Sequence, residues 1–146
     1  MTDAIRLDGE AREVALAEVQ AVHAMSGSGR YVDLVAQVEE GEVVAVDLLE
    51  SVLELALQSG RVRAVYGPGG EQAAIATLRR LPRGRERGAS ARDVSAALGA
   101  LAGRTLDRLD IAAVGPGAFT LGVSAGGVEA SIRLDRYGAR LVSLGT

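Results

Sequence analysis

The sequence predicts an α+β fold in which helices pack on one face of an antiparallel sheet. Three observations carry that expectation. The last 38 residues alternate apolar and polar side chains in short runs separated by glycine-rich turns, which is the period of half-buried strands. Residues 47–60, DLLESVLELALQSG, place their polar side chains at i+3 and i+4 instead, the period of a helix. The chain has one Phe, three Tyr and no Trp among 146 residues, so Val, Leu, Ile and Ala must build the core. That length suits one domain, 1–146, which needs neither disulfide nor metal to be stable.

The elements follow in order. Residues 10–25 read as an N-terminal helix ended by Ser-Gly-Ser-Gly at 26–29. In YVDLVAQV, Val32, Leu34, Ala36 and Val38 alternate with Asp33 and Gln37; with the turn EEGE and the run VVAV, residues 31–46 read as a β-hairpin. The helix 47–59 has Asp47 as its N-cap, Glu50, Ser51, Glu54 and Gln58 on its solvent face, and Gly60 just past its end. RVRAVY, 61–66, reads as a third strand, and EQAAIATLRRL as a helix ended by Pro82. PRGRERGA, 82–89, has the composition of a loop joining an α/β N-terminal part to a helix-plus-meander C-terminal part. A helix of small residues follows to about 102, with Ser90 and Asp93 spaced as a capping box. Strands at 109–114, 118–124, 128–135 and 139–144 complete a four-stranded meander. Phe119, Leu121 and Val123 share a face, as do Val128, Ala130, Ile132 and Leu134.

Composition narrows the function. Cys is absent, which excludes thiolate chemistry and fits a reducing compartment. All sixteen basic residues are Arg, so there is no lysine for a Schiff base or a P-loop. The N-terminus shows no apolar leader, and no apolar run is long enough to span a bilayer. A cytoplasmic location without membrane contact is the expectation. Charge is segregated: residues 31–60 carry seven acids and no base, while 79–92 carry six Arg against Glu86.

The motifs are few. The stretch VYGPGGEQAA places a Gly-rich turn before a helix, a junction whose free N–H groups suit an anion. Gly67, Gly69 and Gly70 would hold a small phosphorylated ligand, with Arg63 or Arg79 assisting. The competing expectation is a type II turn with Pro68 at i+1 and Gly69 at i+2, and Glu71 would repel an anion. GVSAG at 122–126 matches a nucleophile elbow in letters, but a strand rather than a helix follows Ser124. His23, the single histidine, reads as structural, and Glu39, Glu40 and Glu42 read as a solvated tip rather than a calcium loop. The arginine segment (Arg80, Arg83, Arg85, Arg87 and Arg92 beside Arg79) could meet a polyanion or an acidic protein partner; the acidic pI of 5.2 and the lack of interleaved aromatics argue against nucleic acid. No catalytic constellation, cofactor site or metal site is expected. The leading expectation is a small non-catalytic binding or regulatory module that forms a homo-oligomer. A phosphorylated-ligand binder at 67–71 and a polyanion binder at Arg79–Arg92 are the alternatives.

Overall fold

The computed structural model describes residues 4–146. Its helices and antiparallel sheets make an α+β fold. Two compact units divide the chain, one ending at Arg85 and the other running from Glu86 to Thr146.

The first unit is nearly all helical. Strand β1 (Ile5–Arg6) leads into α1 (Gly9–Ser26); a 3₁₀ turn (Gly29–Tyr31), α2 (Val32–Glu40), β2 (Glu42–Val43), α3 (Val46–Gln58) and α4 (Arg61–Arg80) follow. The two short strands pair antiparallel, Ile5 opposite Val43. Val19, Leu34, Val38, Val43, Leu49, Leu53 and Leu81 form the main core. A second cluster joins Val14, Ala56, Val62 and Ala74.

Two segments expected as strands are helices. The hairpin at 31–46 is replaced by α2 and the two-residue β2. Within α2 only Leu34 and Val38 are buried, while Val32 and Ala36 face solvent; the buried pair is spaced i, i+4. Gln37 turns back so that its Oε1 accepts the N–H groups of Val44 and Ala45, both at 2.9 Å. Residues 61–66 form the first turns of α4, with Val62 buried, Tyr66 half-buried and Val65 exposed. Gly60 takes the left-handed conformation expected of it, φ 76°. Ala45 rather than Asp47 occupies the N-cap of α3, with no side-chain capping bond.

The expected type II turn at 67–71 is also absent. Gly67 breaks α4 with φ 73° and ψ −171°, and Pro68 restarts the helix, a position where its missing N–H costs nothing. Gly67, not Gly69, carries the positive φ.

The expected loop 82–89 is helical, part of α5 (Pro82–Gly99). Leu81 is extended (φ −88°, ψ 159°), as a residue before proline prefers, and Pro82 opens the helix. Gly84 is forced by proximity: a Cβ there would lie 1.7 Å from the carbonyl oxygen of Leu78. Ser90 and Asp93 therefore fall inside a helix and do not cap one.

The second unit holds the meander, β3 (Leu106–Gly115), β4 (Ala118–Ala125), β5 (Val128–Asp135) and β6 (Gly138–Gly145), in that order across the sheet. At the Gly115-Pro116-Gly117 turn, Gly117 supplies the positive φ of 66°. The register puts Leu109, Val123, Ala130 and Leu144 in one row, and Ile111, Leu121, Ile132 and Leu141 in the next. All lie on one face. Arg108, Asp110, Thr120, Ser124, Glu129, Ser131 and Arg133 occupy the other. Leu101, just beyond α5, packs with Val123, Ala125, Val128 and Ala130 on the apolar face. Residues Asp93, Ala96 and Ala97 of α5 line a cleft with Leu141 and Leu144 of β6.

Candidate functional site

The apolar face is unevenly covered. Val123, Ala125, Val128, Ala130 and Ile132, on the two central strands, are buried. All ten residues of β3 are exposed, and its two large face residues, Leu109 and Ile111, are each 61% exposed. Leu106 and Phe119 extend the same bare strip. β3 is also an edge strand, hydrogen-bonded only to β4. A long, apolar, unprotected edge is a template for another strand. Register shifts lie at Leu106/Arg108 and at Ala113/Gly115, so residues 108–113 between them keep regular pairing geometry. On the polar face, Arg108 Nε and Asp110 Oδ1 form an exposed ion pair at 3.5 Å. Gly122 makes room for it, since a Cβ there would lie 2.5 Å from Asp110 Oδ1.

A second constellation lies in the helical unit, among residues read from the sequence as an N-terminal helix and a strand at 61–66. Glu18 is 2% exposed on α1. Arg61 Nε donates to both of its oxygens, at 3.0 and 2.9 Å, and Tyr66 Oη donates to Oε1 at 2.9 Å. Burial, then the hydrogen bond to Glu18 and its negative charge, push the Tyr66 phenol up to about 12. Glu18, Arg61 and Ser59 flank a groove of about 290 Å³ whose other lining residues are apolar ones of α1 and α3, Met25 and Leu55 among them. A sequence signal existed: Val14, Glu18 and Val22 share one i, i+4 stripe, so a carboxylate sits where a core residue is expected. Glu50 repeats the pattern. It was expected on the solvent face of α3 but is 0% exposed, accepting the backbone N–H of Arg83 (3.1 Å) and of Gly84 (2.9 Å). It caps α5 from another helix, where the first N–H groups lack partners.

Among the residues expected to bind a phosphate, the glycines have other surroundings and Arg79 lies well along the helix. Gly70 is buried against Tyr66, and a Cβ there would lie 2.2 Å from Tyr66 Cβ. The carboxylate of Glu10 stands beside Gly69, its Oε1 3.2 Å from where a Cβ would be, so an acid of the chain occupies the neighbourhood of the helix start. Arg63 and Arg79 are exposed on α4; Arg79 lies nine residues past Gly70, about 14 Å along the axis at 1.5 Å per residue.

The arginine segment is dispersed in the same way. Arg80 Nη2 donates to the carbonyl of Arg6 at 2.8 Å. Arg83 Nε donates to Glu54 at 3.0 Å and its Nη2 to Ser51 at 3.2 Å. Arg85 Nε donates to the carbonyl of Arg80 at 2.9 Å. Arg87 lies against Gly138, and Arg92 is exposed beside Gly88. Ser124 lies within β4, followed by the Gly126-Gly127 turn into β5. His23 closes α1 with its Nδ1 shielded from solvent and unpartnered. Glu39, Glu40 and Glu42 are exposed around Gly41, and among the described residues no group of three His, Cys, Asp or Glu side chains is placed to hold a metal. Among the same residues no helix is long and apolar enough to cross a membrane. No family model, no curated protein and no solved structure matches the chain.

Proposed function

We propose that the protein is a small, cytoplasmic, non-catalytic interaction module that self-associates through its meander. One observation carries the reading: the apolar face of the sheet is covered over its central strands and bare along the edge strand β3, with Leu109 and Ile111 each 61% exposed. Exposed apolar strips of this kind mark interfaces, and symmetric association of identical chains is their commonest use among oligomers. The phosphate reading at 67–71 has less support, because Gly70 serves packing and Glu10 stands beside Gly69. The polyanion reading loses support because Arg80, Arg83 and Arg85 are engaged with the chain itself.

Sedimentation velocity tests the reading. The wild-type chain associates at micromolar concentration, and Ile111→Arg, which places a charge on the bare face, shifts it to monomer. Association through an apolar face persists at 1 M salt, where the Debye length is about 3 Å. A monomer at every concentration, or association that dissolves with salt and ignores Ile111→Arg, rejects the reading.

A further inference from the structure

We propose that the groove between α1 and α3 of the helical unit binds a medium-chain fatty carboxylate, with its chain on the apolar lining and its head on the outer fork of Arg61. The inference does not rest on the self-association proposed above.

Two helical stripes lay the groove out. Ala21, Val22 and Met25 follow Glu18 on α1 at i+3, i+4 and i+7. Val52, Leu55 and Ala56 precede Ser59, the residue that ends α3, at i−7, i−4 and i−3. Glu18 meets Arg61, two residues past Ser59, at 2.9 Å, so the polar residues of both stripes gather at one end. Met25 lies seven residues from Glu18, about 10 Å along the axis, and is exposed at the rim. A groove with one polar end and an apolar length is shaped for an amphiphile. Its volume of about 290 Å³ stands at the lower limit of small-molecule cavities, about 300–1,000 Å³.

Arg61 decides the charge of the head. Its Nε alone serves Glu18, reaching both oxygens. Among the described residues Nη1 and Nη2 have no partner, and half of the side chain is exposed. A guanidinium commonly sets two nitrogens in parallel on one carboxylate. Here the outer edge, Nη1 with Nη2, is left for a second one, whose two oxygens match that fork. Glu18 lies on the Nε edge, so the two carboxylates sit on different edges of one guanidinium. Glu18 is itself buried and accepts from both Arg61 and Tyr66, so a cationic head finds no open carboxylate.

Titration of the whole chain with decanoate, below its micellar concentration and followed by NMR of the Met25 methyl group, tests the site. The Met25 resonance is expected to shift and saturate. Decanol and decylamine bind at least about tenfold more weakly, for want of the charged hydrogen bonds. Octanoate binds about tenfold more weakly than decanoate, having two fewer methylenes to bury. Ala21→Trp, which fills the groove from a half-buried position, abolishes binding. Arg61→Lys keeps a charge beside Glu18 but loses the fork; it weakens decanoate about tenfold and leaves decanol unchanged. Circular dichroism confirms the fold of each variant. No shift with decanoate at millimolar concentration, decanol or decylamine binding as tightly as decanoate, or wild-type affinity for decanoate in either variant overturns the inference.

Discussion

Tyr66 shows how one side chain ties two helices together and leaves a measurable mark. Its phenol donates to Glu18, a carboxylate also held by Arg61, and its pKa is pushed from 10.0 up to about 12 by burial first and by Glu18 second. The folded state therefore holds the phenolic proton more tightly than the unfolded chain does. That contribution is fully present below pH 10 and is lost as pH rises toward 12. Wild type is expected to lose thermal stability across this window, and Tyr66→Phe, which cannot titrate, is expected to lose less. Phenolate absorbance supplies the direct reading, with a late phase near pH 12 that Tyr66→Phe removes. If Tyr66→Phe removes no late phase, the hydrogen-bonded arrangement is wrong.

At the scale of elements, the N-terminus of α5 depends on α3. Glu50 binds the N–H groups of Arg83 and Gly84, so Glu50→Ala strips one partly buried and one buried donor of their partner. The expected cost is about 2–4 kcal/mol in urea unfolding, from the lost cap and the unsatisfied groups. Glu50→Gln, which keeps one acceptor oxygen, is expected to cost about half as much. A loss below about 0.5 kcal/mol for Glu50→Ala would deny the cap its role. The same cap explains why the sequence misleads here. Pro82, Gly84 and three arginines read as a loop because the partner that makes them a helix start is more than thirty residues away. The meander was legible, since long alternating runs with Gly-rich turns have one periodic interpretation and its contacts are between neighbours in sequence. Short windows were not. Val32, Leu34, Ala36 and Val38 satisfy a period of two, but Leu34 and Val38 alone are buried, a spacing that a helix satisfies equally well. Val62 and Tyr66 pose the same ambiguity in RVRAVY. Of the candidate sites, the Gly-Pro-Gly-Gly turn was visible as a motif, yet its glycines serve a helix restart and a close contact with Tyr66. The bare strip on β3 was visible as a strand, while its exposure depends on where α5 falls and no local pattern encodes that.

At the scale of the whole molecule, the helical unit and the meander keep separate cores: the cluster around Leu34, Leu49 and Leu53 shares no residue with that around Val123, Ala125 and Ala130. Leu53 is 1% exposed, so Leu53→Ala is expected to cost about 2–5 kcal/mol. Hydrogen exchange should place the loss in α1–α4 and leave β4 and β5 protected as in wild type; equal loss in both would mean the chain unfolds as one cooperative body. The Glu50 cap also sets an order of events during synthesis. Its acceptor precedes its donors by 33 and 34 residues. At about 5–20 residues per second, a nascent chain waits about 2–7 s between making Glu50 and making Gly84. Through that interval the carboxylate lacks the two N–H groups that hold it in the folded chain. The helical unit is thus completed as Gly84 emerges, one residue before that unit ends at Arg85. Strand β3 leaves the ribosome only afterwards, and β4 follows it directly as its pairing partner.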